Sequence, residues 1–182
     1  MRKALNMKCC SRHFPGLLLA ILFLFSADVL VAQPPPPKKV TITATAQGLS
    51  FGAFTHGPAG GTVSVNASGT RSSSGSVILL GMGYSFTPAL FNLTGSAGTS
   101  VNITLGPDVS LTGSSGGSMT LHLVDINSAT PATLQQISPT VLLLRATTTA
   151  QFRVGGSLVV GSSASNPPGS YSGTFTIIFN LQ

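Results

Sequence analysis

The chain has 182 residues and a formal net charge of +6 at neutral pH, and its apolar content of 42% is sufficient for a buried core. Its two cysteines, Cys9 and Cys10, lie near the amino terminus, so disulfides cannot hold the later part of the chain together. Five basic and two acidic residues follow position 32 and leave that part with a net charge of +3. Because these charges are scattered, we expect no nucleic-acid partner.

Residues 1–32 predict a secretory signal peptide. Basic residues dominate the first twelve positions, and the apolar run Leu17–Phe25 follows them. This run is far shorter than the roughly 20 residues of a membrane-spanning helix, and Asp28 interrupts its extension. Cleavage after Ala32 would leave no stable membrane anchor. We therefore expect an exported protein of the periplasm, the cell surface or the medium.

Residues 33–39 predict a stiff linker, because Pro34–Pro37 favour polyproline II and two lysines follow them. Residues 40–182 predict one all-β domain. Short apolar or alternating runs recur between Gly, Pro, Asn and Ser, and no long window has a helical period. About ten short strands of this kind are typical of a β-sandwich or a β-barrel. The runs are Val40–Ala44, Leu49–Phe54, Val63–Val65, Val77–Leu80, Leu90–Leu93, Val101–Leu105, Met119–Leu123, Val141–Leu144, Phe152–Val154, Leu158–Val160 and Phe175–Leu181.

Four shorter segments are assigned to connections between these runs. His56–Gly61 predicts a turn, Ser68–Ser76 a Ser/Gly-rich loop, and Thr133–Ile137 a single helical turn. Gly155 and Gly156 stand between two apolar runs, where we expect a tight turn or a β-bulge.

The residues that could carry chemistry near neutral pH after the leader are His56, His122, Asp108 and Asp125. We expect Asp108 to form a turn, Asp125 to end a strand and serve the next turn, and His122 to face outward. No close-spaced pair favours a metal site, and no strand–turn–helix pattern carries a nucleophilic serine. The sequence therefore predicts no catalytic, cofactor-binding or metal site.

The final strand has the most regular pattern of the chain. Phe175, Ile177, Phe179 and Leu181 fall at every second position, which places their side chains on one face of an extended strand. An apolar face of this kind needs a cover. That cover comes either from the rest of the domain, as in a closed sandwich, or from a partner.

Seven short segments follow one another in order over nearly all of residues 33–182. They are Leu49–Gly52, Gly61–Val65, Ser68–Arg71, Ala89–Gly95, Val101–Leu105, Val154–Gly161 and Pro168–Phe175. This ordered series resembles the exported bacterial family known as domain of unknown function 4402. The resemblance implies an architecture and a compartment, and it implies no reaction.

Gly169 is the fourteenth residue from the end, and Phe175, Ile177 and Phe179 occupy alternating apolar positions after it. In these features the last strand resembles the carboxyl-terminal strand of chaperone–usher pilin subunits. The resemblance implies an immunoglobulin-like or pilin-like β-sandwich of about ten short antiparallel strands that assembles by strand addition, with a periplasmic chaperone or a second subunit as partner. Two features depart from that pattern: Leu181 stands where those subunits generally have an aromatic residue, and their common disulfide is missing.

Val40, Ile42 and Ala44 have two interpretations. They form either a donor strand that inserts into a neighbouring subunit or an ordinary first strand of the same domain. The function predicted from all these patterns is a secreted, non-enzymatic surface protein, a pilin-like structural or adhesive subunit. The alternative is a self-contained carbohydrate- or surface-binding module with a glycan ligand, against which the lack of tryptophan and the two tyrosines speak.

Overall fold

The computed structural model describes residues 39–182, so the predicted signal peptide and all but the last residue of the predicted linker lie outside the described part. Residues 39–182 form an all-β domain of antiparallel strands, as the sequence predicts. Several strands are only two residues long, and they raise the number of strands above the predicted ten. The strands are β1 (Val40–Ala44), β2 (Ser50–Phe51), β3 (Phe54–Val65), β4 (Arg71–Leu79), β5 (Phe86–Thr87), β6 (Ala89–Gly95), β7 (Ser100–Leu105), β8 (Val109–Gly113), β9 (Ser118–Ser128), β10 (Leu134–Ser138), β11 (Val141–Leu144), β12 (Thr149–Val160), β13 (Tyr171–Ser172) and β14 (Ile177–Leu181).

The larger sheet is organised around β12. Its strands follow the order β1-β6-β12-β9-β8-β13, and β3 and β4 extend it beside the second half of β12. One side of β12 thus pairs first with β6 and then with β3, while the other side pairs with β9. The register with β9 shifts between Gly155 and Gly156, which confirms the β-bulge among the two predicted alternatives. The tight turn is wrong, because β12 continues through both glycines and joins two runs that were predicted as separate strands.

The smaller sheet has the order β10-β11-β7-β14 and covers one half of the larger sheet. Both sheets contribute to the buried residues between them, which we call cluster 1. Phe152 of β12 is fully buried at its centre, stacks on Phe91 at 5.2 Å between ring centroids, and meets the edge of Phe179 at 6.0 Å. The other buried members of cluster 1 are Ala89, Leu93, Val101, Ile103, Ile126, Leu134, Leu142, Leu144, Ala150 and Val154.

The other half of the larger sheet, which includes β3 and the second half of β12, is covered by elements other than the smaller sheet. Its apolar residues form cluster 2, which includes Phe51 of the two-stranded β2–β5 ribbon. The other buried members of cluster 2 are Val63, Val65, Val77, Leu111, Met119, Leu121, Leu158 and Val160.

Two neighbouring stretches of chain cross together from one sheet to the other. β7 belongs to the smaller sheet and β8 to the larger, while β13 pairs with β8 and β14 pairs with β7. Gly106 lies at this crossing, where a Cβ atom would collide with the backbone oxygen of Thr176. Only glycine lets the two backbones approach so closely, and the crossing carries β14 to the edge of the smaller sheet.

Three local predictions are wrong because strand pairing overrides local composition. His56–Gly61 lies inside β3, where a register shift against β4 absorbs the extra residues and Gly60 takes a φ of 64°. Most of Ser68–Ser76 belongs to β4. The predicted helical turn at Thr133–Ile137 is a turn followed by β10, since Leu134 begins a strand that pairs with β11.

Candidate functional site: the open edges of the sheets

The predicted terminal strand is the edge strand β14, and its side chains alternate as expected. Phe175 lies just before β14, and together with Ile177 and Phe179 it packs partly buried against cluster 1. Leu181 belongs to the same face, but its side chain remains 53% exposed. Gly169 lies apart from these residues, in the segment before β13. The inward face of β14 is therefore only partly covered.

The backbone of β14 presents unpaired groups to its outer side. Gln182 N–H donates to the oxygen of Ser100 at 3.0 Å, so the even-numbered residues of this strand point their N–H and C=O groups toward β7. Backbone groups alternate in direction along a strand, and those of Ile177, Phe179 and Leu181 consequently point away from β7. Within residues 39–182, β7 is the only strand that pairs with β14.

β1 is the corresponding edge of the larger sheet. The structure places Val40, Ile42 and Ala44 in this strand, paired with β6 of the same chain. Val40 and Ile42 pack partly buried against cluster 1, whereas Ala44 is exposed. Thr45 N–H donates to Leu90 O at 3.1 Å, so the alternation again turns the backbone groups of residues 40, 42 and 44 outward.

The other edges in the described part are interrupted. β4 contains Gly75 with a φ of 70° and has a shifted register against β3. β10 has a register shift between Gln136 and Ser138, and Pro139 follows it. β13 has two residues. Bulges, prolines and short lengths are the features that keep a sheet edge from pairing with another chain, and β1 and β14 lack all of them.

A wide groove lies over cluster 2, with a volume of about 1170 Å³. Both tyrosines of the chain, Tyr84 and Tyr171, line it together with three phenylalanines, Phe51, Phe54 and Phe175. Hydroxyl groups of several serines also line it, and its lining includes no Lys, Arg, Asp or Glu. This groove could not be predicted from the sequence, because its walls come from segments that are far apart along the chain.

A protein-family model described as "Domain of unknown function (DUF4402)" matches residues 40–180. The chain belongs to this family. The matched range runs from the first residue of β1 into β14, so this DUF4402 domain contains both open edges. No curated protein and no solved structure matches the chain. Residues 39–182 contain no helix that is long and apolar enough to cross a membrane.

Arg71 holds the β2–β5 ribbon of the DUF4402 domain against the larger sheet. Its Nη2 donates to the oxygen of Ala53 at 2.6 Å, and its guanidinium lies 5.4 Å from the ring centroid of Phe86. Burial lowers the pKa of Arg71 from its ordinary value. The residue therefore fixes one wall of the groove.

The four residues that could carry chemistry make three contacts, which do not share a residue. His122 pairs with Asp108 on the surface of the domain, as its outward position in β9 allows. Asp125 does not end a strand as predicted; it lies inside β9, and both carboxylate oxygens accept from the N–H of Ala67 at 3.0 Å. His56 Nε2 lies 3.1 Å from the oxygen of Asn166. Among residues 39–182, no group of three or more His, Cys, Asp or Glu side chains could hold a metal ion.

Proposed function

We propose that this DUF4402 protein is an exported, non-enzymatic surface component, a pilin-like structural or adhesive subunit, and that β14 is its assembly strand. The observation that supports the proposal is the outer side of β14. Three backbone positions point outward there, in a regular strand without charge or proline, and the side chain of Leu181 on the inward face of the same strand is half-exposed. Such an edge favours addition of a strand from another chain.

The energy of strand addition comes from two sources. An added strand would remove water from the partly exposed inward side chains of Phe179 and Leu181, and full burial of one such side chain is worth about 1.5–3 kcal/mol. Both are covered in part already, so each contributes a fraction of that range. Each outward backbone group that finds a partner adds a net hydrogen bond of about 0.5–1.5 kcal/mol.

The non-enzymatic part of the proposal is supported by how the ionisable side chains are used. Asp125 caps the N–H of Ala67, Asp108 pairs with His122, and Arg71 supports the β2–β5 ribbon. These contacts occupy the groups within the fold. Export is supported by the predicted signal peptide in residues 1–32, which lies outside the described residues.

Leu181→Pro tests the role of β14. The N–H of Leu181 points outward, so proline removes a donor that an added strand needs and leaves the bonds to β7 in place. We expect wild type to form oligomers in light scattering and the variant to remain monomeric with an unchanged circular dichroism spectrum. Leu181→Ala, which keeps the N–H, is the matched control and should retain most of the assembly. Equal assembly of Leu181→Pro and wild type would overturn the proposal.

The groove over cluster 2 favours a second candidate function, a module that binds a neutral glycan. Aromatic rings with hydroxyl groups around them, and no Lys, Arg, Asp or Glu among the lining residues, fit an uncharged sugar better than a charged ligand. Titration with neutral hexose oligosaccharides would show saturable binding that Tyr84→Ala removes. The control is Ile78→Ala, an exposed apolar residue outside the groove lining. Absence of saturable binding to wild type excludes this candidate for the sugars used.

A further inference from the structure

We propose that the strand that adds to β14 is β1 of a second copy, which pairs edge to edge with β14 in antiparallel orientation while it stays in its own sheet. This inference rests on the proposed function, because it names the partner of the same edge. Within residues 39–182, β1 pairs with β6 on one side only, so its other side can accept β14 while the strand order of the domain stays the same.

Among the sheet edges of residues 39–182, β1 is the one that best fits the outer edge of β14. β4 and β10 are bulged, β13 is very short, and β1 and β14 are regular strands of five residues each. Neither five-residue strand contains a charged residue or a proline. No like charges therefore oppose each other when the two edges meet, and no proline removes an outward backbone N–H from either strand.

The backbone directions specify a register. Val40, Ile42 and Ala44 turn their N–H and C=O groups outward on β1, and Ile177, Phe179 and Leu181 do so on β14. An antiparallel pairing that places Ile42 opposite Phe179 also places Val40 opposite Leu181 and Ala44 opposite Ile177. Each of these pairs exchanges two hydrogen bonds, so the junction gains about six, and a shift by one residue would lose all of them.

The side-chain volumes favour β1 over a second β14. In the proposed register the smaller Val40, Ile42 and Ala44 face the larger Leu181, Phe179 and Ile177 across the junction, on the side of both strands that faces cluster 1. Two copies of β14 paired symmetrically would place Phe179 directly opposite Phe179, with no smaller residue across from it. Large residues opposite small ones fill a junction without strain.

The junction joins two different surfaces of the chain: the outer edge of β14 in one copy and the outer edge of β1 in the next. Each copy that uses its β14 keeps a free β1, and each copy that uses its β1 keeps a free β14. Such a heterologous contact continues into a filament unless the rotation between copies closes a ring.

Cysteine cross-linking tests the partner and the register. In the proposed register Thr41 faces Asn180 in a non-hydrogen-bonded pair, whose Cα atoms lie about 4.5 Å apart, within the range of disulfides. Both side chains are exposed, so Thr41→Cys and Asn180→Cys should fold as wild type does. The full chain is used with Cys9→Ser and Cys10→Ser, which makes the introduced thiols the only ones.

The two single-cysteine chains are expressed separately, mixed and oxidised. We expect a disulfide-linked heterodimer from the mixture and no dimer from either chain alone. Ile178→Cys mixed with Thr43→Cys should also cross-link, because that pair has the same register. Thr43→Cys mixed with Asn180→Cys is the matched control, since a displacement of two residues places the Cα atoms beyond disulfide range, and it should not cross-link.

Three results would overturn the inference. Cross-linking of Asn180→Cys to Ile178→Cys between chains, without the Thr41–Asn180 cross-link, would show that β14 pairs with β14 in the register that places Phe179 opposite Phe179. Cross-linking of Thr41→Cys to Thr94→Cys between chains, without the Thr41–Asn180 cross-link, would show that β1 replaces the neighbour's β1 beside β6. Assembly that is sensitive to Leu181→Pro but gives no Thr41–Asn180 cross-link would leave the proposed function standing and show that its partner strand is another segment.

Discussion

The two apolar clusters of the domain are closed in different ways. Cluster 1 lies between two sheets, and Phe152 at its centre is fully buried. Cluster 2 has a sheet on one side only, and the β2–β5 ribbon and the segment before β13 leave a groove of about 1170 Å³ above it. The closed cluster holds both open strand edges in position, whereas the loosely covered cluster carries the aromatic groove. Assembly and ligand binding would therefore use separate parts of one domain.

Phe152→Ala is the strongest way to test this difference. Removal of a fully buried phenylalanine that contacts Phe91 and Phe179 should lower the free energy of unfolding by about 3–5 kcal/mol in urea denaturation. Phe51→Ala is the matched change in cluster 2, and it should cost less because Phe51 already borders the groove. An equal loss of unfolding free energy in Phe152→Ala and Phe51→Ala would show that the two clusters are covered equally well.

Arg71→Met should loosen cluster 2 and leave cluster 1 unchanged. Methionine preserves the apolar stem and removes both the hydrogen bond to Ala53 and the contact with the ring of Phe86. Loss of a hydrogen bond from a charged group costs about 1.5–3 kcal/mol. Hydrogen exchange should accelerate in residues 48–54 and 84–87 and stay constant in β7 and in residues 149–154 of β12, which belong to cluster 1. Arg71→Lys keeps the charge without the planar group and should give an intermediate effect.

A uniform acceleration of exchange across the whole domain after Arg71→Met would contradict this separation. It would mean that the β2–β5 ribbon and the two-sheet part of the domain open together.

The sequence predicts β14 well because its apolar residues recur with a period of two and, in the structure, lie on one inward face of the strand. It predicts the second half of β4, where Val77 is buried, but fails for the first half, whose Ser72, Ser73 and Ser74 are exposed at the edge of the sheet, so that no apolar residue there marks a buried face. It also fails for β10, where pairing with β11 determines the conformation. The open edges could be predicted as strands but not as edges, because strand order depends on contacts between residues that are distant in the chain.

Asp108→Asn should have the smallest effect of the substitutions considered. Asp108 pairs with His122 in a contact whose side chains are 62% and 39% exposed, outside both clusters. An exposed ion pair contributes about 0–1 kcal/mol, and salt screens it. We expect urea denaturation at high salt to give the same free energy of unfolding for the variant and wild type, with at most a small difference at low salt. A loss that is as large as that of Phe51→Ala and independent of salt would show that this pair supports the fold, and the division between the two clusters would then be incomplete.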